Sequence, residues 1–160
     1  MKTSLVKTKN PKKIPKILRE KSKEIRELTP DILDLIKEMI KVMNENNGVG
    51  LSAIQIGIPL RVMIIKNGEE DFAFINPEII SLSEKEVPFR EGCLSFPGMY
   101  ANIIRPETAK IRVKDIDWQD VEIEADGIVG RAFQHEIDHM NGIVFVDHVE
   151  NFDDLERVNN

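Results

Sequence analysis

The stretch that most restricts the fold is "RAFQHEIDHMNG", residues 131–142, which sets His135 and His139 four apart with Glu136 directly after the first. On a helix, residues four apart share one face, so both imidazoles can converge on a single point. Ile128, Ala132, His135 and His139 fall in one narrow sector, and Val129, Phe133, Ile137 and Met140 extend the apolar surface beyond it. A helix apolar over so much of its circumference is predicted to be buried, with Asp126 at its N-cap and Gly142 just past its end.

Two buried imidazoles without a shared purpose are a costly arrangement. Neutral imidazole is a good ligand for Zn²⁺ and Fe²⁺, and a pair at this spacing fixes two corners of a tetrahedral site. Glu136 lies roughly 100° further round the helix. A carboxylate there stands beside the open side of such a site and can take a proton from water. HExxH also occurs by chance, as two hydrogen-bonded histidines on a core helix.

A metal needs a third protein ligand, and the chain has only three histidines and one cysteine. His148, in "VFVDHVE", lies outside the helix and reads as a surface or strand residue. Cys93 lies in "REGCLSFPG", read as a glycine-flanked loop. A lone cysteine is more often a small buried apolar residue. Beside HExxH, its thiolate is a strong candidate for the third ligand. Without it, Asp147 or Glu150 downstream of the helix would have to serve, as in a zinc endopeptidase.

A further segment, "NNGVGLSAIQIG" at 46–57, reads as a glycine-rich loop able to lie close to a ligand. It is not the dinucleotide fingerprint, because no strand precedes it. Gln55 is either an ordinary loop amide or a donor aimed at a developing oxyanion.

The rest of the chain reads as one domain spanning 1–160. Thr29, Pro30 and Asp31 open an amphipathic helix with Ile32, Leu35, Ile36, Met39, Ile40 and Met43 on one stripe. "LRVMIIK" and "FAFINPEII" form a hairpin around "NGEE"; "AKIRVKD" and "VEIEAD" form a second around "IDWQ". Strands first and a helix late, with no βαβ rhythm, indicate α+β with mostly antiparallel sheet. Residues 1–19 carry seven Lys or Arg and no acid. Residues 1–14 are read as a flexible basic tail, with a transit peptide or a contact to ribosomal RNA as the other readings. The net charge of −6 argues against nonspecific binding to nucleic acid over the whole surface. No apolar run is long enough to cross a bilayer, and no signal peptide is visible. The single cysteine excludes an intramolecular disulfide and fits a reducing, cytoplasmic setting.

Three segments in order, "GVGLSAIQ" (48–55), "EGCLS" (91–95) and "QHEIDHMNG" (134–142), resemble the motifs of the peptide deformylase family. The likeness spans roughly residues 15–150; Ser52 stands where alanine is usual, and Met140 where leucine is usual. The resemblance implies antiparallel sheets packed around a central HExxH helix, and a metal-dependent hydrolase that removes the N-formyl group from the N-terminal methionine of new polypeptides, releasing formate. It implies Cys93, His135 and His139 as metal ligands and Glu136 as general base and acid, with Gln55 and the backbone N–H of Leu94 on the oxyanion. The metal would be Fe²⁺ in the cell, with Zn²⁺, Ni²⁺ or Co²⁺ able to take the same site. Val49, Gly50, Ile128 and Ala132 are candidates to contact the substrate, in an apolar pocket for the methionine side chain. N-formylmethionyl nascent peptides and a transient ribosome contact are the expected partners, with no membrane and no sequence-specific nucleic acid. Glu91 and Asp138 are expected to pair with Arg105 or Arg131. A protein that keeps the metal site without turnover is the remaining alternative.

Overall fold

The structure, a computed structural model, describes residues 2–159. Its framework is a five-stranded antiparallel sheet with the order β1 (Gly50–Ser52), β2 (Val62–Asn67), β3 (Glu70–Leu82), β6 (Ala109–Lys114) and β7 (Asp120–Ala125). β4 (Glu86–Cys93) and β5 (Phe96–Pro106) form a long hairpin, which the short β8 (Glu156–Arg157) joins as a second sheet. Helix α1 covers Pro30–Glu45 and helix α2 covers Gly127–Met140.

The two helices sandwich the larger sheet, and β2 shows why. Its residues "VMII" are all buried. Val62 and Ile64 pack in a cluster with Leu35, Ile36, Met39 and Met43 of α1. Met63 and Ile65, pointing to the opposite face, pack with Phe133, Ile137 and Met140 of α2. A strand covered on both faces reads as a continuous apolar run rather than an alternating one. Burial of Phe133, 1% exposed, contributes about 1.5–3 kcal/mol. A third cluster, built on Phe96, Met99, Ile103 and Phe145, lies under the hairpin sheet.

Local chemistry sets the helix ends as expected. Thr29 Oγ1 accepts from the N–H of Ile32, and Pro30 occupies the first turn of α1. Gly142 follows α2 with φ of +76°, a conformation that favours glycine. Asp126 stands at the N-cap of α2, but its side chain makes no capping bond.

Three expectations about the backbone need correction. Cys93 ends β4 at a tight hairpin turn, not in an open loop. "GVGLSAIQIG" contains β1, paired with β2 from Gly50↔Ile65 to Ser52↔Met63, followed by a 3-10 turn at Ala53–Ile56 that carries Gln55. Both segments are glycine-rich, so local propensity points to loop, while pairing with distant strands makes them regular. The basic segment read as a flexible tail lies along the body. Val6 N–H donates to Gln55 O at 2.7 Å and Thr8 N–H to Ser95 O at 2.9 Å. Leu5, Val6 and Ile14 supply the apolar contacts that hold it there.

Candidate metal centre

The site forms where α2 meets the β4–β5 turn and β1. Cys93 Sγ stands 3.3 Å from His139 Nε2, and the donor atoms of Cys93, His135 and His139 all lie within 4.8 Å of one another. Among the described residues this is the one group of three or more His, Cys, Asp or Glu side chains close enough to share an ion. Asp147 belongs elsewhere, in a two-point ion pair with Arg19 at 2.6 and 2.9 Å. His148 is in a 3-10 turn, with its Nε2 3.0 Å from Asp138 Oδ2, and does not join the cluster.

Behind the histidines is a buried ionic network. Glu91, 5% exposed, accepts from Arg105 at 2.9 and 2.7 Å and from Arg131 at 2.9 Å. Its Oε1 also lies 2.6 Å from His135 Nδ1. Arg105 reaches on to Asp138 at 2.9 Å. Sequence spacing left the pairing of the two arginines open; both bind Glu91, and Arg105 bridges to Asp138 as well. Arg131 also donates to the carbonyls of Ile103 and Val87, which fastens α2 to the hairpin. His139 Nδ1 has no hydrogen-bond partner among the described residues, so that ring is oriented by packing and by the contact of its Nε2 with Cys93 Sγ.

Electrostatics separates the two imidazoles. Burial works against a charge on His135, but the Glu136 charge and the hydrogen bonds with Cys93 and Glu91 outweigh it and raise its pKa well above the usual value. Burial, the neighbouring His135 charge and Arg105 push His139 well below it. Burial raises Glu136, against the pull of His135 and Ser52. Burial alone would raise Glu91 too, but its bonds to His135 and Arg105 hold it well below the carboxylate range. A positive charge is therefore favoured on His135 and disfavoured on His139.

One sulfur and two imidazole nitrogens, converging in a buried pocket flanked by two carboxylates, suit a divalent first-row ion. The donor set fits.

A cavity of about 480 Å³ opens in front of the cluster. Val49, Gly50, Ile128 and Ala132 all line it, as do Gln55, Leu94 and Glu136. Val49 and Ile128 are half-exposed at its mouth, while Ala132 is buried. A Cβ on Gly50 would come within 2.7 Å of Glu136 Oε2, so the bare backbone there makes room for the carboxylate. Gln55 is tied at both ends of its amide. Its Oε1 accepts from Ser52 N–H at 2.9 Å, and its Nε2 donates to Ser95 Oγ at 3.1 Å and faces Cys93 Sγ at 3.5 Å. Two residues join the site that sequence spacing does not mark: Ser95, in the same "EGCLS" segment as Cys93, and Lys7, which reaches the cavity because the N-terminal segment is docked.

An antiparallel α+β fold with a cysteine and an HExxH helix meeting in one pocket defines the class of metal-dependent hydrolases. Residues 4–154 match the family model for polypeptide deformylase, and the chain belongs to the peptide deformylase family, metal-dependent enzymes that remove the N-formyl group from nascent peptides. Among curated relatives, the peptide deformylase of Rhodopseudomonas palustris (strain TIE-1) is 45% identical over 141 residues, covering 84% of this chain and 81% of its own. That of Agrobacterium fabrum is 41% identical over 138 residues, 83% of this chain and 81% of its own. Among solved structures, the peptide deformylase of Thermotoga maritima superposes with a TM-score of 0.85 at 32% identity, covering 93% of this chain and 98% of that one. The Ehrlichia chaffeensis peptide deformylase in complex with actinonin gives 0.88 at 32% identity, covering 94% and 90%.

Proposed function

We propose that deformylation in this chain uses Cys93, His135 and His139 to hold one divalent metal ion, Glu136 to move the proton, and Gln55 with the Leu94 backbone N–H to bind the oxyanion. The observation that carries the reading is the approach of the thiol and both imidazoles within 4.8 Å in a pocket that also receives Glu136. A metal so held supplies Lewis acidity toward water and the formyl oxygen.

Glu136 is buried beside the histidines, and burial raises its proton affinity, which suits a group that both takes and returns a proton. It accepts the proton of the attacking water and delivers it to the leaving amine. Gln55 is held by Ser52 and Ser95, which leaves the Nε2 proton facing Cys93 Sγ as the one its amide offers to the developing oxyanion. The apolar part of the cavity, with Val49, Ile128 and Ala132, takes the methionine side chain of an N-formylmethionyl nascent peptide. The small formyl hydrogen allows a pocket that rejects acetyl by steric clash.

Fe²⁺ is the proposed ion in the cell, with Zn²⁺, Ni²⁺ or Co²⁺ in purified protein. Among the described residues no helix is long and apolar enough to cross a membrane. We assign the chain to the cytoplasm, where nascent peptides emerge, and the six lysines of residues 2–16 are the candidate surface for transient ribosome contact.

The test is anaerobic purification with metal analysis, then parallel assays of formate release from formyl-Met-Ala-Ser and cleavage of an internal peptide bond. Formate release with an intact peptide, abolished by a chelator and restored by Fe²⁺, is expected. Internal cleavage without formate would overturn the reading.

A further inference from the structure

Ser52 is fully buried at the end of β1, and its Oγ lies 3.0 Å from Glu136 Oε1 and 2.9 Å from the Glu136 carbonyl oxygen. Among the described residues it is the one side chain hydrogen-bonded to that carboxylate. A hydroxyl has one proton and two lone pairs, so it can serve Oε1 either as donor or as acceptor. An ionised carboxylate is a stronger acceptor than a carbonyl already used by its own helix. The other oxygen, Oε2, lies beside Gly50, which has no side chain to cover it, and both residues line the cavity.

The same residue also holds Gln55, through its backbone N–H to Oε1 of the amide at 2.9 Å. Ser52 is fixed in turn by its register against Met63 on β2. One strand residue thus sets the orientation of two side chains on either side of the cavity, one through its hydroxyl and one through its main chain.

We infer that Ser52 is a positioning residue: its hydroxyl anchors Oε1 of Glu136 and leaves Oε2 as the oxygen that exchanges the proton with water and the leaving amine. The inference rests on Glu136 being the base. Glutamate has three side-chain torsions, and the hydrogen bond from β1 fixes the last of them. A carboxylate free to turn would spend part of its time with neither oxygen aimed at the reacting water.

Ser52→Ala separates the two roles, because it removes the hydroxyl and keeps the N–H that holds Gln55. Steady-state kinetics on metal-loaded protein should show kcat lower by about tenfold. KM should stay within twofold and metal content should be unchanged. In a Glu136→Gln background, adding Ser52→Ala should alter the residual kcat by less than twofold, because a residue acting through Glu136 has nothing left to act on. A wild-type kcat in Ser52→Ala would overturn the inference, as would the same loss in both backgrounds, or loss of metal, which would mark the hydroxyl as purely structural. An inert Glu136→Gln beside an unaffected Ser52→Ala would remove only the role of Ser52. Full turnover by Glu136→Gln would remove the base and this inference together.

Discussion

His135 Nδ1 and Glu91 Oε1 stand 2.6 Å apart, joining α2 to β4. With a neutral imidazole, this contact keeps the proton on Nδ1 and leaves the Nε2 lone pair toward Cys93. It therefore sets both the tautomer and the ring angle of a proposed ligand. The carboxylate that does this is itself held by two arginines, so the position of His135 depends on charges contributed by β4, β5 and α2.

Glu91→Gln is expected to weaken metal affinity by about 10–100-fold. It leaves the buried Arg105 and Arg131 short of a counter-charge, which costs about 3–5 kcal/mol of stability. Competition with a chelator measures the first effect and denaturant unfolding the second. Unchanged affinity would count against the orienting role.

Glu136→Ala should retain the metal and the fold while turnover falls by about 10²–10⁴-fold. Elemental analysis and formate release from the same preparation decide it. Substantial activity in a metal-replete mutant would exclude Glu136 as the proton carrier.

Gly50→Ala should displace the carboxylate without removing any polar group. The new Cβ would meet Glu136 Oε2 at 2.7 Å and force the side chain aside. We expect kcat to drop at least about tenfold from the misplacement. Metal content should be unchanged, and the melting temperature should move little because the clash is with a side-chain end. A variant as fast as the parent would show that the carboxylate position is not critical.

The ion pair of Arg19 and Asp147 gives a pH signature away from the centre. Burial raises the Asp147 pKa, but the hydrogen bonds from Arg19 and Val144 N–H outweigh it, and the folded value lies below the unfolded one. Its stabilisation is therefore complete above the unfolded value, near 3.8, and is lost as pH falls through the folded one. The pair is about one-third to two-fifths exposed, so solvent screening holds its contribution to about 0.5–1 kcal/mol. Asp147→Asn should lower the melting temperature at pH 7 by about 2 °C and converge with the parent in strong acid. A gap that persists below pH 2 would mean that something other than the charge is responsible.

How much could be read in advance varied with how local the signal was. The two helices were legible because their caps and apolar stripes lie within fifteen or so consecutive residues: Thr29 bonds Ile32, and Phe133, Ile137 and Met140 mark the sheet-facing side of α2. The hairpins β2–β3 and β6–β7 were legible from alternation and turn residues. The strand character of Gly50–Ser52, and of Glu91–Cys93 leading into its turn, was not, because it comes from partners at Ile65 and Tyr100 rather than from the residues' own preferences. The basic N-terminal segment misled for the same reason. Its lysines suggest solvent, and only the fold provides the groove that Leu5, Val6 and Ile14 occupy.

The sequence by itself determined which chemistry this chain can carry, because a thiol and two imidazoles one helical turn apart have donor properties that no folding step changes. Only the tertiary structure decided that Cys93 reaches the histidines, that Glu91 rather than Asp138 bonds His135, and that Ser52 meets Glu136. These are distances between groups 40 or more residues apart. They are fixed by strand register and close packing, which no short stretch of residues encodes.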